Sequence, residues 1–315
     1  MARILFTVRA LALFSTIHIA MAAVSPPVTT FFPTIEGNLT KITWAHAVNN
    51  STELNNALAK ADIMMLEADI VLGTLNDDSS TEQIPIMGHP PANKSDLSLE
   101  QFINTVAANG KKGVKLDFKT TEVFNQSLSI LAKLHKNMTF PVWLNADILP
   151  GPVNATANPV DARSFLTGAH KTFPESTLSI GWTTRYGSAD NITEGTYTSG
   201  MVQRMVDIVS SSNITQSITY PVRAAIVVNS ISEMQDLLNR TSANNPTLTI
   251  WTGKGDDIDT DKLSTFIKTV GVSKVYIDLP EHIIEKLDIS GAMSLRLGAM
   301  TITALVLNLA IAMVL

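Results

Sequence analysis

The sequence predicts a (β/α)8 barrel. Eight short runs of apolar and β-branched residues alternate with segments of helical period. Setting aside two terminal segments leaves residues 24–290, close to the roughly 250 residues that such a barrel uses. The chain of 315 residues is 45% hydrophobic and 16% charged and has no Cys, so its stability must come from a large buried core rather than disulfides or a zinc ribbon.

The first strand is expected over 42–46, where Ile42, Thr43 and Trp44 lead to His46, and the first helix over 52–60. The second strand, 63–70, is apolar except for Glu67 and Asp69 near its end. A polar stretch, 76–83, and the run 84–91 then read as a hairpin that brings His89 back towards the strand ends. The helix at 99–109 opens on Ser98 with Gln101, the pattern of a capping box. Strand 113–118 and helix 121–134 follow, then strand 141–148 with helix 162–171, and strand 177–183 with helix 200–211. Strand 218–228 precedes a helix at 232–238, for which Ser232 and Gln235 offer a second capping box. Strand 247–251, helix 261–270 and strand 274–279 complete the set. Near-continuous apolar strands alternating with amphipathic helices imply a parallel sheet covered on its outer face.

The two ends do not fit this pattern. Arg3 and Arg9 flank a short N-terminal region, residues 10–23 are apolar, and Ala20-Met21-Ala22 places small residues where a signal peptidase reads, so 1–23 is expected to be a signal peptide. A signal anchor is the alternative, but about 14 apolar residues are short for a span of roughly 20. Residues 297–315 are nearly all apolar and follow Ser290-Gly291-Ala292 and a brief spacer with Arg296, so 291–315 is expected to be a GPI-attachment signal, with a transmembrane helix as the alternative. Ten Asn-x-Ser/Thr triplets, at Asn38, Asn49, Asn50, Asn93, Asn125, Asn137, Asn154, Asn191, Asn213 and Asn239, all outside the expected strands, point to a glycosylated extracellular protein held at the cell surface by its C-terminal tail. A formal net charge of -5 with scattered Lys and Arg leaves no basic stripe for nucleic acid.

In a barrel of this kind, chemistry sits at the C-terminal ends of the strands. His46 ends the first strand, Glu67 and Asp69 lie on the second, Asp117 and Lys119 on the third, and Asn145 and Asp147 on the fourth. The i, i+2 spacing sends each pair to one face, here the barrel mouth. Arg185, Arg223, Trp251 and Asp278 add polar or aromatic groups more loosely from the later strands. Buried carboxylates need a counter-charge or they protonate. With oxygen donors only, a hard divalent cation, Mg2+ or Ca2+, fits better than Zn2+, and a closed network of Asp-Lys and Asp-Arg pairs is the alternative. Of the six His, only His46 and His89 are placed for proton transfer.

The stretches ITWAHAVNN (42–50), MMLEADIVLG (64–73), IPIMGHPP (84–91), KGVKLDFK (112–119), PVWLNADILPGP (141–152), LSIGWTT (178–184) and VYIDLP (275–280) resemble the menorin family of secreted or membrane-associated animal proteins. That family is similar to the glycerophosphodiester phosphodiesterase and phospholipase C-like barrels. The resemblance implies a phospholipase C-like phosphodiesterase barrel. In it Glu67, Asp69 and Asp117 hold a divalent cation, with Asp at 117 replacing the usual Glu, and Lys119 matches the enzymes' lysine. His46 and His89 would do the acid-base work while a neighbouring substrate hydroxyl attacks phosphorus. The chain departs from the enzymes in two places. Ala47-Val48 follows the first His instead of Arg-Gly, and Pro90 follows the second instead of Asp, which leaves phosphate binding to Lys119 or Arg223. The expected substrate is phospholipid-like or a small glycerophosphodiester. The alternatives are a catalytically silent module that binds an extracellular protein, and a glycoside hydrolase using two mouth carboxylates.

Overall fold

Apolar strand runs separated by amphipathic helices assemble as expected into eight parallel strands, in a computed structural model that describes residues 23–76 and 81–289. The expected leader, apart from Ala23, and the expected tail lie outside the described residues, among which no helix is long and apolar enough to cross a membrane. The strands are β1 (Trp44–Ala45), β2 (Met65–Leu75), the hairpin strand β3 (Ile84–Met87), the short β4 (Lys94–Ser95), β5 (Gly113–Phe118), β6 (Val142–Pro150), β7 (Thr177–Thr183), β8 (Ile218–Arg223), β9 (Thr247–Trp251) and β10 (Val275–Asp278). The parallel order is β1-β2-β5-β6-β7-β8-β9-β10, with β3 antiparallel to β2 and β4 also on β2. This is a (β/α)8 barrel. Its seam, between β10 and β1, is bridged by side chains: Trp44 meets Tyr276 edge-on at 6.5 Å, and His46 bonds to Asp278.

The helices are α1 (Val28–Phe31), α2 (Ser51–Ala59), α3 (Leu99–Asn109), α4 (Thr121–Leu134), α5 (Ala162–Thr172), α6 (Ser199–Ser211), α7 (Ala224–Val227), α8 (Ile231–Arg240), α9 (Thr260–Val270) and α10 (Glu281–Ile284). The long ones lay apolar stripes on the outside of the sheet. Leu99, Phe102, Ile103 and Val106 do so on α3, and Phe124 of α4 and Phe165 of α5 meet Phe118 at the end of β5. The capping box at Ser98 and Gln101 forms. At the N-terminal end of the barrel, Ile35, Leu39 and Ile42 pack with Met65, Trp143 and Tyr276 in a small second core.

Two local expectations are corrected. The strand expected over 218–228 stops at Arg223, and Ala224–Val227 turn into α7, because the short buried apolar run after Arg223 satisfies a strand and a buried helix equally well. The capping box at Ser232 and Gln235 does not form. Instead α8 starts one residue earlier, and Ser230 at its N-cap accepts the Tyr197 backbone N–H at 2.8 Å.

The barrel interior is more polar than the apolar strands suggest. Glu67, Lys115, Asn145, Ser179, Thr219 and Thr249 are all buried, and Ser179 Oγ donates to Asn145 Oδ1 at 2.5 Å while the hydroxyls of Thr219 and Thr249 pair at 2.7 Å. These groups form the floor on which the mouth is built.

Candidate functional site at the barrel mouth

Strand register brings the carboxylates together. Asp69 on β2 lies opposite Asp117 on β5, which in turn lies opposite Asn145 on β6, and Glu67 sits one step deeper opposite Lys115. One oxygen each from Glu67, Asp69 and Asp117 falls within 4.8 Å of the other two. Lys119 places its ammonium 2.6 Å from Asp69 and 2.5 Å from Asp117. Asn145 Nδ2 donates to Asp117 Oδ1 at 2.6 Å, and Asn49 binds Asp69 twice, through its Nδ2 to the carboxylate and its Oδ1 to the Asp69 N–H. One of the ten sequon side chains is thereby spent inside the site.

His46 is held from behind. Its Nδ1 lies 3.2 Å from both oxygens of the buried Asp278 and 3.6 Å from Glu67 Oε2, while Lys115 Nζ approaches Asp278 to 3.6 Å. A carboxylate only accepts, so Nδ1 carries the proton and Nε2 is left free. The turn after His46 is tight, with Ala47 in the left-handed region at φ 56° and its N–H donating to Glu67 Oε2 at 2.9 Å. His89 is exposed at the end of the hairpin, where the Gly88 N–H donates to the Asp69 carbonyl, and His89 Nδ1 donates to the Pro90 carbonyl at 2.7 Å. Both His line one cavity of about 450 Å³ with Glu67, Asp69, Asp117, Lys119, Asn145, Asp147 and Arg223. Of the residues singled out from the sequence, these nine line the cavity, as does Trp251, whereas Arg185 and Asp278 do not.

The electrostatics follow from burial. Burial works against the charged imidazole of His46, but its bond to Asp278 and the charges of Glu67 and Asp278 outweigh this and raise it to about 9. Burial pushes Glu67 up, helped by repulsion from Asp69 and Asp117. Asp69 is buried too, yet Lys119 and Asn49 hold its carboxyl below the usual carboxylate range. Asp278 is likewise held down against burial, by His46 and Lys115. Lys119 and Lys115 are raised despite burial by the carboxylates around them.

Asp147 is different. Among the described residues its carboxylate joins no hydrogen bond or ion pair, and burial with the nearby charge of Asp117 raises it to about 7. Gly181 makes room for it, since a Cβ there would lie 2.9 Å from Asp147 Oδ1. Between about pH 4 and pH 7 the folded protein keeps a proton on Asp147 that the unfolded chain has released, so this residue costs stability as pH rises across that window. Asp147→Asn, unfolded in urea with EDTA present, should exceed the wild type by on the order of 2 kcal/mol at pH 8 and by nothing near pH 4. A difference independent of pH would show that Asp147 does not titrate there.

Arg223 is committed elsewhere. Its Nε and Nη2 bind the two oxygens of buried Asp256 at 2.8 and 2.6 Å, its Nη1 donates to Thr184 Oγ1, and its Nη2 also donates to the Tyr186 carbonyl. Arg185 turns away to Asp190 at 3.1 Å and does not line the cavity, whereas Trp251 does. Asn49, Lys115, Asp256, Thr183 and Lys254 were not singled out from the sequence. Lys115 had a signal, since it lies two residues before Asp117 and so shares its face.

A family model described as the Menorin N-terminal domain matches residues 38–284, a span that contains every residue of the mouth. The chain belongs to the menorin family. Protein FAM151B from Homo sapiens is 39% identical to this menorin over 241 residues, covering 76% of this chain and 83% of the relative. Among solved structures, a psychrophilic glycoside hydrolase family 10 endo-beta-1,4-xylanase aligns over 81% of this chain and 89% of its own at 11% identity, with a TM-score of 0.37. A likeness that distant carries no argument about chemistry.

The donor set of this menorin suits a hard divalent cation. Glu67, Asp69, Asp117 and Asp278 face Lys115, Lys119 and the raised imidazole of His46, so four carboxylates meet three cationic groups at the mouth. The three converging carboxylates supply oxygen alone, the donor type that Mg2+ and Ca2+ prefer.

Proposed function

We propose that this menorin is a metal-dependent phosphodiesterase acting on a glycerophosphodiester or phospholipid-like substrate at the outer face of a membrane. The observation that carries this reading is the convergence of Glu67, Asp69 and Asp117 in the cavity that His46 and His89 also line. Bound to those carboxylates, Mg2+ or Ca2+ would supply Lewis-acid polarisation of a phosphoryl oxygen. Asp278 holds His46 by Nδ1 and so presents Nε2 as its proton-transfer atom, in the way a carboxylate fixes a catalytic imidazole. His89, on the hairpin, supplies the second imidazole. One of them takes the proton of the attacking hydroxyl as its oxygen bonds to phosphorus. The other gives a proton to the departing alkoxide as the old P–O bond breaks. Lys119 pairs with Asp69 and Asp117 and holds the Asp69 carboxyl below the usual carboxylate range.

Phosphorus NMR of the purified protein with glycerophosphodiesters, lysophospholipids and sphingomyelin tests this. With Mg2+ or Ca2+ present, at least one of these should be converted to a new phosphorus species, and EDTA should stop the conversion. No turnover over the whole panel by the metal-loaded protein would leave the barrel as an extracellular binding module. Ala47 and Pro90, which replace an Arg and an Asp beside the two His, are the residues that favour that second reading.

A further inference from the structure

The cations of the mouth are not equally free. Lys119 is paired with Asp69 and Asp117, Lys115 with Asp278, and Arg223 with Asp256. Lys254, on the loop after β9, also lines the cavity and is exposed, and among the described residues it has no ion-pair partner. Its loop is anchored. Asp256 Oδ2 accepts the Gly253 N–H at 2.9 Å and the Thr252 hydroxyl at 3.2 Å while the same carboxylate is gripped by Arg223. Gly253 is required for that grip, because a Cβ there would come within 2.5 Å of Arg223 Nη2. Among the described residues Lys254 is thus a cation without an ion-pair partner, carried on an anchored loop.

The aromatic surface of the cavity has the opposite character. Trp251 is the aromatic ring among the residues lining it besides the two imidazoles, and the Arg223 guanidinium already lies 5.4 Å over that ring. Recognition of a quaternary ammonium relies on open aromatic faces, and an added positive charge beside Arg223 and Lys254 would be repelled.

Resting on the phosphodiesterase reading, we propose that Lys254 selects substrates whose non-reacting part carries an anionic group, and that the mouth discriminates against those with a quaternary ammonium. Its oxygen-seeking ammonium would meet a carboxylate or a second phosphate next to the reacting phosphoryl group. The partner of that ammonium is therefore supplied by the substrate.

Calorimetric titration of the purified protein in Mg2+ with three phosphomonoesters tests this: 3-phosphoglycerate, glycerol 3-phosphate and phosphocholine, whose remainders are anionic, neutral and cationic. The expected order of affinity is the order given, with about tenfold between the first two, the size of one charge-assisted hydrogen bond at a partly exposed site. Lys254→Ala should remove that gap, Lys254→Arg should keep it, and added salt should narrow it. Equal affinities in the wild type, tighter binding of phosphocholine, or a preference that survives in Lys254→Ala would overturn the assignment while leaving the phosphodiesterase reading in place. If the wild type binds none of the three, both are contradicted.

Discussion

Returning Mg2+ or Ca2+ to protein stripped with EDTA should raise its melting temperature by roughly 5 to 10 °C. At 100 times its dissociation constant, a ligand that binds only the folded state adds about 2.7 kcal/mol, and a domain of this size gains about 2 to 4 °C for each kcal/mol. Buried carboxylates that repel one another gain most from such an ion. Glu67, pushed up by burial and by Asp69 and Asp117, should become easier to ionise once it is bound. Asp69→Asn should abolish the rise while leaving a cooperative transition, because Lys119 keeps Asp117 as a partner and Asn49 can still bond to the new amide. A melting curve of the wild type that ignores both EDTA and added cation would sink the metal reading.

Replacing either imidazole should have the largest effect on rate. His46→Ala and His89→Ala should each lower turnover by about 10²- to 10⁴-fold, the usual contribution of a positioned acid or base, with the metal-dependent melting shift intact. The two measurements separate three roles. Loss of the shift would make a His a metal ligand, loss of folding would make it structural, and loss of turnover alone is the expected result. Asp278→Asn should fall between wild type and His46→Ala, because it removes the charge that holds Nδ1 but leaves the imidazole in place.

Much of this architecture was legible in the residues. Parallel strands buried on both faces read as apolar runs, and helices such as α3 announce themselves through Leu99, Phe102, Ile103 and Val106. The i, i+2 pairs Glu67 with Asp69, Asp117 with Lys119 and Asn145 with Asp147 were visible for the same reason, since a strand sends alternate residues to one face. The partners of those groups were harder to see. Asp278 meets His46 across 232 residues of chain, and that pairing depends on how the barrel closes between β10 and β1. Arg223 reads as a mouth cation because it ends β8, but its partner Asp256 sits in a loop whose path no periodicity describes. The break between β8 and α7 was hidden because residues 218–228 are buried throughout and the apolar run 224–228 continues past Arg223, and burial alone does not tell a strand from a short helix.

The most direct test of the central claim is a crystal structure of the protein grown with Mg2+ or Ca2+ and a non-hydrolysable phosphodiester analogue. The account predicts one cation bonded to oxygens of Glu67, Asp69 and Asp117, with the phosphoryl group beside it, within reach of His46 Nε2 and the His89 ring. Carboxylates still bridged only by Lys119, with no cation among them and the analogue absent from the mouth, would contradict it.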